Sequence, residues 1–311
     1  MTSKKVLLIG GTRFLGHAIA EAFIGKGHEV YELNRGTKAP SRGVAGQIVC
    51  DKADRAAFAQ ALNKCRWDVV VDTILNDEDL KFVVETVGVK VGHFIHTGSV
   101  GVYGDARQIP ALESQPLCEY EGEDIVFNYK IKQDQVVMRA FQERGFPGTI
   151  MRMSNIYGPG DIPLDGWGGR SSEFFRMLRD GNKIPLPDAG RALLHPGHVR
   201  DLGRAFLHAA EWPDSIGQIY NICGQYALMT KDYVAVMARA MGVEPNLEYA
   251  PANEILARFP KLTNERGIKF ATQHMCASIA KAERDLGWRP EIPLDAGLRE
   301  NFEWMKTKGM I

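Results

Sequence analysis

The segment Gly10-Gly11-Thr12-Arg13-Phe14-Leu15-Gly16 limits the folds open to this chain more than any other. It follows an apolar run, Lys5–Ile9, that predicts a buried strand, and it opens a stretch with apolar residues at helical spacing. A second predicted strand, Glu29–Arg35, comes next. Such a turn brings backbone N–H groups and the positive end of a helix against a pyrophosphate. We therefore predict a dinucleotide-binding βαβ unit rather than a plain tight turn, with these cofactor residues: Gly10, Gly11, Thr12, Arg13, Phe14 and Leu15.

The end of the second predicted strand bears on which cofactor is bound. An NAD site normally presents a carboxylate to the ribose hydroxyls there, whereas this chain has Asn34 and Arg35. With Arg13, these residues offer hydrogen-bond donors and two guanidinium groups that can bind a 2′-phosphate. Glu32 is nearby in sequence, but strand alternation is expected to turn it away. The sequence favours NADP, with NAD as the alternative if both arginines are solvated surface residues.

The composition is that of an ordinary globular protein. Of 311 residues, 45% are hydrophobic and 24% are charged, which suits one large domain or two closely joined ones. Thirty-eight basic and 38 acidic residues cancel, and this balance argues against a nucleic-acid partner. Five widely spaced cysteines without a C-x-x-C pair argue against disulfides and a metal site. No apolar run approaches the ~18 residues of a membrane helix and no signal sequence precedes the first strand, so we expect a cytoplasmic protein.

Predicted strands and helices alternate along most of the chain, which is typical of a parallel sheet. The predicted fold is α/β, a doubly wound parallel sheet (Rossmann) with a smaller C-terminal lobe that caps the substrate. Residues 1–157 and 198–224 are predicted to form the dinucleotide-binding domain, and residues 158–197 and 225–311 the substrate lobe. Within that lobe, Trp167 stands among glycines and predicts a mobile loop over the pocket.

Several further motifs extend the pattern beyond the glycine-rich turn. They are Thr97–Gly104, Arg152–Asp161, His198–Leu202 and Leu286–Pro290. With them the chain resembles, almost end to end, the extended short-chain dehydrogenase/reductases, also called the NAD-dependent epimerase/dehydratase family. The arginine-bearing turn is similar to a branch that includes poorly characterised members and chloroplast RNA-associated relatives.

The resemblance implies roles for three residues outside the turn. Ser99 would hydrogen-bond a substrate hydroxyl or carbonyl, Asp51 would contact the adenine, and Asn155 would lie in the substrate pocket. Each has a structural alternative, since Ser99 could cap the chain, Asp51 could be a loop carboxylate and Asn155 could satisfy backbone groups. A strand end in a doubly wound sheet is where ligands bind, and this favours function for Ser99.

The resemblance also implies a catalytic tyrosine four residues before a lysine, and here the pattern fails. If Lys130 is the family lysine, the downstream residues match well but Val126 occupies the place of the tyrosine. If Tyr129 is the tyrosine, Lys132 must act from one position early, about 100° around the helix. We favour Lys130, on a helix predicted over residues 130–144. Tyr129 stays the candidate acid if the helix begins irregularly at Phe127, with an aromatic packing role as its alternative.

Taken together, these features predict an NAD(P)-dependent oxidoreductase or epimerase that acts on a hydroxyl or carbonyl of a small polar substrate. The resemblance suggests nucleotide sugars and recycled NAD, whereas Arg13 and Arg35 favour NADP and net reduction. Because the Tyr/Lys pair is degraded, a dinucleotide-binding sensor or an RNA-associated scaffold with little catalysis remains the alternative. A homodimer is compatible with this expectation.

Overall fold

A computed structural model of the chain describes residues 2–104, 106–118 and 125–311. Seven of its strands form one parallel sheet, and the others pair in three sheets of two strands. In chain order the strands are Lys5–Ile9 (β1), Glu29–Asn34 (β2), Gly46–Val49 (β3), Val69–Asp72 (β4), His93–Ser99 (β5), Gly148–Met153 (β6), Ile156–Tyr157 (β7), Ile184–Leu186 (β8), Leu193–Leu194 (β9), Gly197–His198 (β10), Ile219–Ile222 (β11), Leu228–Met229 (β12) and Leu247–Tyr249 (β13). The order across the main sheet is β11-β6-β5-β4-β1-β2-β3.

The helices that the structure describes cover both faces of this sheet and build the C-terminal region. They are Phe14–Gly25 (α1), Arg55–Leu62 (α2), Asp77–Val87 (α3), Ile125–Arg144 (α4), Ser172–Arg179 (α5), Val199–Glu211 (α6), Thr230–Ala240 (α7), Ala252–Arg258 (α8), Glu265–Thr272 (α9), Ala280–Leu286 (α10) and Leu294–Thr307 (α11).

The central strands are apolar on both sides because helices cover both faces. In β1, Val6 and Leu8 pack in a cluster with residues of α1 and α6, whereas Leu7 and Ile9 pack in a cluster with residues of α2, α3 and α4. This arrangement confirms the predicted doubly wound α/β fold. The proposed division into a cofactor domain and a substrate lobe stays a prediction.

Two expectations about local structure are wrong. Helix α4 begins by Ile125 and not at residue 130, so Tyr129 lies in continuous helix within the described part of the chain. Trp167 is fully buried, not on a mobile loop: its indole N–H donates to the carbonyl of Pro185 at 2.7 Å, and its ring stacks on Phe259 at 4.5 Å. In the described ranges, no helix has both the length and the apolar character needed to cross a membrane.

Candidate cofactor and active site

The glycine-rich turn is built for close packing of β1 against the start of α1. Gly10 has a φ of +94°, a conformation that side chains other than glycine rarely adopt. A Cβ on Gly16 would lie 2.2 Å from the carbonyl oxygen of Gly10, so only glycine lets the helix approach the turn. Arg13, by contrast, has extended backbone at φ −138° and ψ 144°, which any residue can adopt. An arginine is therefore tolerated at the middle of the motif.

The turn forms one wall of a cavity of about 400 Å³ at the carboxyl edge of the sheet. Six residues predicted to bind the cofactor line it: Gly10, Thr12, Arg13, Asn34, Arg35 and Asp51. Lys52 and Ile74 also line the cavity and were not predicted, although each follows the end of a strand, where this edge collects ligands.

Three predicted cofactor residues lie outside the wall of this cavity. Phe14 lines a neighbouring groove that shares Thr12 and Arg13 with the cavity, and Leu15 packs in the core between α1 and the sheet. Gly11 packs against Glu32, whose carboxyl group would lie 2.9 Å from a Cβ at that position. The expectation that Glu32 turns away is thus wrong. Its side chain is fully buried beneath the turn, and one carboxylate oxygen accepts a hydrogen bond from the backbone N–H of Ser41 at 3.2 Å.

Asn34 shapes the chain after β2 instead of offering its oxygen to a ligand. Its Oδ1 accepts hydrogen bonds from the backbone N–H of Gly36 and from Nε2 of Gln47, both at 2.8 Å. The next residue, Arg35, is exposed and lines the cavity. Neither Arg35 nor Arg13 forms an ion pair with any other described residue. Both guanidinium groups are therefore available to an anionic ligand.

The start of α1 supplies the remaining feature of an anion site. Arg13 is the N-cap residue, and its side chain does not cap the helix. The first N–H groups of a helix lack partners within it and carry the positive end of the helix dipole. An uncapped helix start facing a cavity with two unpaired arginines fits the diphosphate and ribose portions of an adenine dinucleotide.

Ser99 and Lys130 lie further along the same edge of the sheet. Ser99 ends β5, two strands from β1 and thus about 10 Å away across the sheet. Its Oγ accepts a hydrogen bond from the backbone N–H of Gly101 at 3.1 Å, which leaves its own O–H to donate elsewhere. Nζ of Lys130 donates to the carbonyl oxygen of Thr97, also in β5, at 3.0 Å. The structure therefore brings together two of the three predicted catalytic residues at one strand end.

Tyr129 is placed less favourably than Lys130. The side chain is 38% exposed, and the centre of its ring lies 5.5 Å from Nζ of Lys130. Because the helix is continuous from Ile125, the irregular start that would turn Tyr129 toward Ser99 is not seen in the described residues. Lys132, the lysine of the other register, is exposed.

A buried acid–histidine pair beside Lys130 is not among the residues predicted from the sequence. Oδ2 of Asp72, at the end of β4, lies 2.7 Å from Nδ1 of His96 in β5, and both side chains are fully buried. Oδ1 of Asp72 accepts from the backbone N–H groups of Ile74 and Leu75, each at 2.8 Å. The signal that could have revealed this pair is an acid that closes an otherwise apolar strand.

Burial governs the protonation of Lys130. Removal from water disfavours the ammonium and lowers the pKa of Lys130, while the nearby carboxylates of Asp72 and Asp134 act in the opposite direction. Asp134 is itself paired with Arg152, whose Nε lies 2.8 Å from Oδ2. The amine of Lys130 thus faces two acids that each have another partner.

Asn155 follows β6 and is nearly buried. Its side-chain nitrogen is buried and forms no hydrogen bond with the described residues. Buried polar atoms without partners are uncommon and point to a ligand or water that completes them. The described residues contain no group of three or more His, Cys, Asp or Glu side chains arranged to hold a metal ion.

This combination of turn, strand ends and helix has a counterpart among known proteins. Residues 6–223, well over half of the chain, match the NAD dependent epimerase/dehydratase family. The chain belongs to this family. The family predicted from the motifs is thereby confirmed, and so is the expectation of an enzyme of the epimerase, dehydratase or reductase type.

The relatives of this chain include proteins named as enzymes and one named as a stem-loop binding protein. The chloroplast stem-loop binding protein of 41 kDa b from Arabidopsis thaliana is 29% identical over 97% of this chain and 79% of its own length. The dTDP-6-deoxy-L-talose 4-dehydrogenase (NAD(P)(+)) from Kitasatospora kifunensis is 27% identical over 97% of this chain and 96% of its own length. The dTDP-glucose 4,6-dehydratase of Bacillus anthracis, solved in complex with NAD, superposes with a TM-score of 0.77 at 16% identity, covering 99% of this chain and 100% of that one. The similarity to the Bacillus anthracis structure shows a shared fold only.

Proposed function

We propose that the protein is an NAD(P)-dependent oxidoreductase or epimerase that acts on a hydroxyl or carbonyl group of a nucleotide sugar. The observation that carries this proposal is the shared edge of the sheet. The uncapped start of α1 follows β1, and Ser99 and the hydrogen bond of Lys130 lie at the carboxyl end of β5, two strands away. Relatives named as acting on dTDP-sugars support the substrate class.

The residues divide into those that would hold the cofactor and those that would act on the substrate. The amides at the start of α1 would bind the diphosphate, Asp51 the adenine, and Arg13 and Arg35 the adenosine ribose. When bound, the nicotinamide supplies or accepts a hydride. The O–H of Ser99 would donate to the substrate oxygen and stabilise the negative charge that develops on it. The unpaired amide of Asn155 would orient the sugar.

We favour NADP over NAD as the cofactor. Arg13 and Arg35 have no ion-pair partner among the described residues, and both line the cavity next to the second strand. The Asn34 side chain presents no negative charge that would repel a 2′-phosphate. NAD is the alternative, since the family includes a dehydratase solved with NAD.

The alternative of a sensor or RNA-associated scaffold is less favoured. Its support is the name of the stem-loop binding relative and the lack of a tyrosine four residues before Lys130. Against it, the chain belongs to the NAD dependent epimerase/dehydratase family, and Ser99 and the hydrogen bond of Lys130 lie at the same end of β5. A cytoplasmic location and a homodimer stay predictions.

The test is turnover with a panel of dTDP- and UDP-sugars. Purified protein is incubated with each sugar and with NAD⁺ or NADP⁺, and reduced nicotinamide and sugar products are measured by absorbance and chromatography. We expect at least one sugar to be converted, and Ser99→Ala to lower turnover by roughly 100-fold. Ser3→Ala, at the opposite edge of the sheet, is the control and should keep wild-type turnover. Failure to convert any sugar of the panel would contradict the proposal.

A further inference from the structure

The surroundings of the Lys130 amine do not require it to be permanently charged. It is half-buried at the end of β5, and it hydrogen-bonds a carbonyl oxygen, that of Thr97, at 3.0 Å. A backbone carbonyl accepts from a neutral amine as well as from an ammonium, so this contact does not require the charge.

Two carboxylates act on Lys130, one from β4 and one from α4. Asp72 reaches from β4, with His96 of β5 bonded to its far side at 2.7 Å. Asp134 reaches from α4, and Arg152 of β6 is bonded to it at 2.8 Å. Because each acid already has another hydrogen-bond partner, neither serves Lys130 alone. Burial lowers the pKa of Lys130, and the two carboxylates act against that shift.

Within the described part of α4, no tyrosine stands four residues before Lys130. Four residues before it stands Val126, and a valine has no proton to give. Tyr129 is adjacent in sequence, about 100° around the helix, and partly exposed to solvent. Ser99 lies two residues beyond Thr97, so Lys130 hydrogen-bonds the strand end that carries the group proposed to bind the substrate oxygen.

We propose that Lys130 is itself the proton donor and acceptor of the reaction, and that Asp72, fixed by His96, is the positioning residue that balances its charge. This inference rests on the proposed oxidoreductase function. With reduced nicotinamide as the source of the hydride, the substrate carbonyl carbon would gain the hydride while its oxygen takes a proton from the ammonium of Lys130, which leaves an alcohol, a neutral amine and oxidised nicotinamide. The amine regains its proton from solvent. In the oxidative direction the neutral amine removes the hydroxyl proton.

The first test measures Lys130 in the protein without cofactor. Lysine side chains labelled with ¹³C are titrated by NMR, and the Lys130 signal is assigned as the one lost in Lys130→Met and kept in Lys132→Met, its exposed neighbour. We expect this signal to titrate below the ordinary 10.5 of lysine, since burial lowers the pKa of Lys130. Asp72→Asn removes an opposing charge and should lower it further. A Lys130 signal unmoved by Asp72→Asn would overturn the positioning role.

The second test uses the sugar nucleotide with the highest turnover. Lys130→Arg keeps a positive charge, but an arginine stays protonated at all working pH values and cannot give a proton up. We expect this variant to keep NADPH affinity within about threefold and to lose at least 100-fold in kcat. The pKa seen in the pH profile of kcat/KM should equal the pKa of Lys130 measured by NMR. In Asp72→Asn both values should shift in the same direction.

The outcomes separate this inference from the proposed function. Lack of turnover in wild-type protein with every sugar would refute the oxidoreductase function, and the proton-donor role with it. Turnover in Lys130→Arg within tenfold of wild type would refute the proton-donor role alone. Loss of the pH limb in Tyr129→Phe, with Lys130 intact, would assign the proton to Tyr129 instead.

Discussion

Replacement of Arg35 by alanine tests the cofactor assignment quantitatively. The side chain lines the cavity and forms no ion pair within the described residues, so the substitution removes a ligand contact without breaking an internal one. A charge-assisted hydrogen bond contributes about 2 kcal/mol, and 1.4 kcal/mol corresponds to a factor of ten. We therefore expect Arg35→Ala to weaken NADPH binding roughly thirtyfold. NADH has no 2′-phosphate, and its affinity should change less than threefold.

The assay is isothermal titration calorimetry, in which NADPH or NADH is titrated into each protein and the heat of binding is measured. Arg42→Ala is the matched control, since Arg42 is also exposed but lines the neighbouring groove and not the cavity. It should leave both affinities within about threefold of wild type. Equal losses for NADPH and NADH in Arg35→Ala would refute the placement of the 2′-phosphate beside this guanidinium.

Two further predictions concern stability. Gly16→Ala places a Cβ 2.2 Å from the carbonyl oxygen of Gly10 and should cost about 1–3 kcal/mol in urea unfolding, whereas Gly25→Ala, with no atom within 4 Å, should not destabilise. Burial lowers the pKa of His93 from its ordinary 6.5 to about 3. As the pH falls below 6.5, His93 therefore takes up a proton in the unfolded chain but stays neutral in the folded protein. Unfolding free energy should then fall by about 2 kcal/mol more between pH 7 and 5 in wild type than in His93→Phe; equal falls would contradict this.

The sequence predicted the sheet and the turn well because their requirements are local. A strand buried on both faces must be apolar throughout, as β1 and β4 are, and a close strand-to-helix turn needs glycine at fixed spacing. Strand alternation, apolar runs and the positions of Gly10 and Gly16 are all visible without tertiary information. The cavity residues Arg35 and Asp51 followed because ligands collect at strand ends.

The errors arose where long-range packing decides the outcome. Trp167 among glycines suggested a surface loop, but Phe259, distant in sequence, supplies the ring that buries it. Glu32 was expected to turn away, yet the loop that follows β2 folds back and donates the N–H of Ser41 to it. The Asp72–His96 pair depends on the pairing of β4 with β5, in which these two residues are direct neighbours. The spacing of residues along the chain does not predict this register between β4 and β5.

The central claim is that an adenine dinucleotide binds at the start of α1, with its diphosphate on the amides after β1. Calorimetric titration of the intact protein with NAD⁺, NADH, NADP⁺ and NADPH tests this most directly. We predict a measurable heat of association for at least one of the four, tightest for NADPH. No detectable binding of any form, in folded protein from which retained cofactor has been removed, would contradict the account.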